Sequence, residues 1–71
     1  MKFAYFDYSG TPARLPLDSD DLPTGCELFD SESGDFISRD ELTPEIFDGR
    51  GARLIGKAEF DALIAKAGKA S

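Results

Sequence analysis

The stretch from Cys26 to Leu42, Cys-Glu-Leu-Phe-Asp-Ser-Glu-Ser-Gly-Asp-Phe-Ile-Ser-Arg-Asp-Glu-Leu, constrains this chain more than any other. Two short runs, Cys26 to Asp30 and Asp35 to Arg39, flank a Ser-Glu-Ser-Gly turn, which predicts a β-hairpin. A three-residue loop of Glu32, Ser33 and Gly34 gives Gly34 the left-handed conformation of a bulge. It sets Ser31 opposite Asp35, Phe29 opposite Ile37 and Glu27 opposite Arg39, an apolar pair and an ion pair on one face. A four-residue loop joins Phe29 to Phe36 but brings Asp30 directly opposite Asp35, two like charges, so the first register is the expectation.

The clearest helix is Lys57 to Ala67, with Phe60, Leu63, Ile64 and Ala67 at i, i+3, i+4 and i+7. Glu59 and Asp61 lie early and Lys66 late, as the helix dipole favours, and Gly68 is placed to end it. Its apolar stripe is expected to lid a sheet, because no other long element is available. Lys2 to Tyr8 reads as a central strand, with Phe3 and Tyr5 on one face and Ala4, Phe6 and Tyr8 on the other. Tyr5 or Tyr8, left exposed, would make an aromatic anchor for a partner. Thr43 followed by Pro44 predicts a capped helix start, stopped by Gly49. Ala52 to Ile55 reads as a short strand. Pro12, Pro16 and Pro23 argue against central pairing between Gly10 and Gly25, so 10–25 is expected to be a long proline-rich loop, with Ala13 to Leu17 at most a short edge strand.

These elements predict one α+β domain over 1–71: a small, mostly antiparallel sheet of three to four strands, a C-terminal helix on one face, and a frayed end at 69–71. With 71 residues, eight of the apolar ones alanine and none valine, aromatic residues and leucine must supply most of the core.

Histidine is absent, which removes the imidazole base and the commonest metal ligand, so neither an enzyme nor a cofactor is expected. The single Cys26 has no disulfide partner within the chain and no base to activate it; it reads as a small buried hydrophobe suited to a reducing, cytoplasmic setting. The N-terminal stretch turns acidic before any apolar signal region develops, and no run approaches membrane-spanning length.

Counting Asp30 as position one puts Glu32 at three, Ile37 at eight and Glu41 at twelve, which resembles the EF-hand family over one loop. The resemblance implies calcium binding. The family pattern wants a ligand at five and glycine at six, where this chain has Gly34 and Asp35, and Pro23, Gly25 and Pro44 interrupt the flanking helices. A degenerate calcium-binding domain is therefore the alternative reading. Gly51, Gly56 and Lys57 have the spacing of P-loop proteins, but Ala58 stands where a magnesium-binding hydroxyl belongs.

Charge is the most informative feature for function. Residues 18–48 hold eleven acids against one base, Arg39, a net −10, whereas the remainder holds seven bases against three acids, a net +4. Such a field repels nucleic acid and anionic membrane and attracts basic surfaces. The expected function is a non-enzymatic interaction module, an inhibitor or adaptor that binds a basic protein surface through Asp18, Asp20, Asp21, Glu27, Asp30, Glu32, Asp35, Asp40 and Glu41. Phage anti-CRISPR inhibitors offer an analogy of size and charge only. Self-association is a further possibility for so small a domain.

Overall fold

In a computed structural model, which describes the backbone of residues 2–69 and the side chains of 2–68, the chain forms one five-stranded antiparallel sheet with a helix on each face. The strands are β1 (Lys2–Tyr8), β2 (Thr11–Leu17), β3 (Glu27–Asp30), β4 (Asp35–Ser38) and β5 (Ala52–Ile55). Their order is β4-β3-β2-β1-β5. A 3-10 turn over Asp40–Leu42 leads into α1 (Thr43–Phe47), and α2 (Lys57–Lys69) closes the chain. Of the end expected to fray, residues 70 and 71 lie outside the described residues.

The proline-rich loop is the first correction. Thr11–Leu17 is an interior strand, paired to β1 along its whole length and to β3 at Ala13 and Arg14. Alternation makes room for its prolines. Pro16 accepts the Thr24 N–H at 2.8 Å, so its backbone groups point away from β1, and Pro12 shares that parity. The missing amides therefore face the β3 side, where the ladder is only two residue pairs long. Ser9 and Gly10, at φ 51° and 91°, make the tight two-residue turn that joins β1 to β2, and the Asp7 carboxylate holds the Gly10 N–H at 2.7 Å.

The hairpin register is the second correction. Glu27 faces Ser38, Leu28 faces Ile37, Phe29 faces Phe36 and Asp30 faces Asp35. The loop is thus four residues long. Asp30 makes it work, because one carboxylate oxygen accepts the Glu32 N–H at 3.2 Å and the other accepts the Ser33 hydroxyl at 3.0 Å. Charge on Asp30 is spent on local donors, so its repulsion with Asp35 is offset, and Phe29 and Phe36 gain an edge-to-face contact at 5.5 Å. Gly34 has the expected positive φ, 76°. Glu27 pairs with Arg14 at 2.6 Å instead of with Arg39.

Alternation then builds two apolar layers. On one face Phe6, Ala13, Leu15 and Cys26 are buried with Ile46 of α1, flanked by Ala4, Tyr8, Leu28, Leu42 and Ala52. On the other, Phe60 of α2 stacks 4.5 Å from Tyr5 and 5.9 Å from Phe36. The Arg14 guanidinium lies 3.9 Å from the Phe36 ring centre and 4.9 Å from that of Phe3, its charge met by Glu27. Thr43 does not cap α1: the 3-10 turn runs straight into the helix, and the capping position falls on Leu42 with no side-chain bond. Gly49, at φ 80°, does stop it.

Candidate protein-binding edge

The sheet order separates the charges. The acidic segment supplies β3, β4, the turns at both their ends and α1, whose Glu45 carbonyl accepts the Arg50 N–H at 3.0 Å, whereas Arg50, Arg53 and Lys57 gather around β5 at the opposite edge. Of the eleven acids, only Glu27 and Asp30 are half-buried and the rest are exposed. Of these eleven, only Asp21 and Glu27 have ion-pair partners among the described residues, Lys2 at 2.7 Å and Arg14 at 2.6 Å. At the other edge, Arg53 is neutralised by Glu59 at 2.7 Å and Asp7 at 3.5 Å, and Lys57 by Asp61 at 2.5 Å. These carboxylates hold both cationic groups in their charged form to higher pH than usual.

The nine candidate acids do not form one patch. Asp30, Glu32 and Asp35 sit at the hairpin tip, while Asp18, Asp20, Asp21, Asp40 and Glu41 lie in the turns at the other end of the strands. Several have structural duties that the sequence did not reveal. Asp18 accepts the N–H groups of Asp20 and Leu22 at 2.8 and 3.1 Å, fixing the turn after β2. Asp21 occupies a left-handed conformation, φ 62°, and reaches Lys2. The turn at 18–21 is therefore an organised cap on the sheet and not merely a solvated loop. Asp40 accepts the Cys26 N–H and the Ser38 hydroxyl, each at 3.2 Å. Gly25 permits that approach, because a Cβ there would stand 2.8 Å from the Asp40 Oδ1. Among the described residues, Asp20, Glu32, Asp35 and Glu41 make no such side-chain bond.

Asp40→Ala is expected to cost about 1–3 kcal/mol in urea unfolding, since the part-buried Cys26 N–H loses its acceptor. Asp40→Asn, which keeps the oxygen, should stay within about 0.5 kcal/mol of wild type. Equal losses for the two variants would show that charge, not the hydrogen bond, is what Asp40 provides.

The aromatic anchors are committed elsewhere. Tyr5 packs under Phe60, and the Tyr8 hydroxyl donates to Glu45 of α1 at 2.6 Å, a bond that, first among the causes, raises the phenol's pKa. Both rings are half-buried. The free thiol of Cys26 is fully buried, and burial, reinforced by Asp40, Glu41 and Glu27, raises its pKa to about 11.

The frame for a calcium loop is missing. Asp30 to Glu41 runs strand, turn, strand and 3-10 turn, with Asp30 and Asp40 already bonded, and among the described residues no three acidic or cysteine side chains converge on a metal position. The segment between Gly51 and Gly56 is β5 itself, so the phosphate-loop spacing falls on a strand. No helix among the described residues is long and apolar enough to cross a membrane. A concavity of about 350 Å³ along the acidic edge is lined by Thr11, Leu28, Phe29, Asp30, Ile37 and Arg39. Comparison of the chain with protein-family models, with curated protein sequences and with solved structures finds no match, so a functional reading rests on this surface alone.

Proposed function

We propose that this chain is a non-enzymatic interaction module, an inhibitor or adaptor, that docks the acidic β3–β4 edge of its sheet on a basic surface of another protein in the cytoplasm. The observation that supports this reading is the imbalance around that edge: of the nine acids on β3, β4 and the turns at their ends, seven have no ion-pair partner among the described residues, whereas Arg50, Arg53 and Lys57 gather around β5 at the opposite edge. An uncompensated field of one sign accelerates encounter with the opposite sign and repels polyanions, so neither nucleic acid nor anionic membrane is the partner.

The test uses the four acids that make no side-chain hydrogen bond or ion pair among the described residues. Asp20→Asn, Glu32→Gln, Asp35→Asn and Glu41→Gln together should leave the melting temperature near that of wild type. Proteins captured from a cell extract at low salt should be retained about tenfold less by this variant and released from wild type at about 0.5 M salt. Capture indifferent to both salt and the four substitutions would assign the acidity to solubility instead.

A further inference from the structure

We propose that the outer edge of β4 receives an extended basic segment of the partner as a sixth strand, an inference that rests on the acidic docking reading and gives it a geometry. Arg39 donates its N–H to the Cys26 carbonyl at 2.7 Å, toward β3. Backbone groups alternate sides along a strand, so Asp35 and Ile37 also face β3, while Phe36 and Ser38 turn theirs outward. β4 is the last strand in the sheet order, with no strand beyond it among the described residues. Arg39 Nη1 covers the Ser38 carbonyl at 3.3 Å, which leaves the N–H and C=O of Phe36 and the N–H of Ser38 to pair with an incoming backbone.

Side chains specify what comes in. Ile37, 37% exposed, shares the open groove with Leu28 and Thr11, and takes an apolar residue. Asp30, Glu32 and Asp35 stand at one end of the strand, and Asp40 and Glu41 outnumber Arg39 at the other, so lysine or arginine is complementary above all at the hairpin-tip end of a segment some four to six residues long. Against a second copy, the same charges repel an isologous β4 pairing. The β5 edge of a second copy, with Leu54 68% exposed, has its central Arg53 already neutralised by Glu59 and Asp7, and so offers the acids little charge. A foreign basic strand satisfies both the backbone and the field.

The probe is a seven-residue peptide of alternating lysine and valine, added at low salt to the full chain labelled for amide NMR. Binding should perturb and protect the Phe36 and Ser38 amides. Methylating alternate backbone nitrogens of the peptide leaves its charge unchanged but removes the edge hydrogen bonds, and should weaken binding about tenfold. Ile37→Lys, at an exposed position, should weaken it by about the same factor. Equal affinity of the methylated peptide, or perturbations confined to other residues, would overturn strand addition while leaving acidic docking intact. No binding of either peptide at low salt would overturn both. Protection of the Phe36 and Ser38 amides that grows with protein concentration before any peptide is added would overturn the foreign strand in favour of a second copy.

Discussion

Replacing Phe60 with alanine is expected to remove about 3–5 kcal/mol of stability, enough to unfold a large share of a 71-residue domain at room temperature. Phe60 is 2% exposed and is the side chain of α2 that reaches both Tyr5 and Phe36. Leu63, Ile64 and Ala67 continue the stripe but are only half-buried. Its loss therefore opens a cavity under the helix and bares the aromatic face that also carries Arg14. Phe47→Ala is the matched control, because that ring is 44% exposed and its removal should cost less than about 1 kcal/mol. Urea unfolding followed by circular dichroism checks both. A Phe60→Ala loss no larger than the control's would mean that α2 does not secure the second face of the sheet.

The second large effect is alkaline. Burial raises the Cys26 pKa from about 9 to about 11, so the folded state holds the thiol proton more tightly than the unfolded chain. The resulting stabilisation is complete below pH 9, where both states are protonated, and is lost as pH rises from about 9 to about 11. The loss is about 3 kcal/mol. Tyr8 acts in the same direction, through its hydrogen bond to Glu45. Cys26→Ala should flatten the stability profile between pH 9 and 11, and alkylation of the wild-type thiol should keep pace with global unfolding. A wild-type profile already flat to pH 11 would show that the thiol ionises without leaving the core.

Both experiments concern layers that the sequence announced unequally. The helix stripe Phe60, Leu63, Ile64 and Ala67 was legible because a 3.6-residue period has one reading, and Gly34 and Gly49 were legible because a positive φ selects glycine. The alternation of β1 likewise assigned Phe3 and Tyr5 to the face opposite Phe6 and Tyr8. The Ser9-Gly10 dipeptide is a hairpin signal in the sequence that a reading from the prolines alone passes over.

The proline rule failed at β2 because it counts prolines without asking which way each missing amide points. Pro12 and Pro16 are four residues apart, hence on the same side of the strand, and only the neighbouring strands decide whether that side needs donors. The hairpin register failed for a related reason. Pairwise charge repulsion between Asp30 and Asp35 is visible in the sequence, but the donors that satisfy Asp30, the Glu32 N–H and the Ser33 hydroxyl, appear only once the loop has closed.

The candidate site divides along the same line. The sequence by itself determined that residues 18–48 carry a large negative charge with one base among them, since charge is a property of composition. Which acids are free could be decided only by the tertiary structure, because Asp18, Asp30 and Asp40 acquire their work from backbone groups brought near by folding. The outward amides of Phe36 and Ser38 belong to that second kind: a strand becomes an edge only when the order of the sheet leaves nothing beside it.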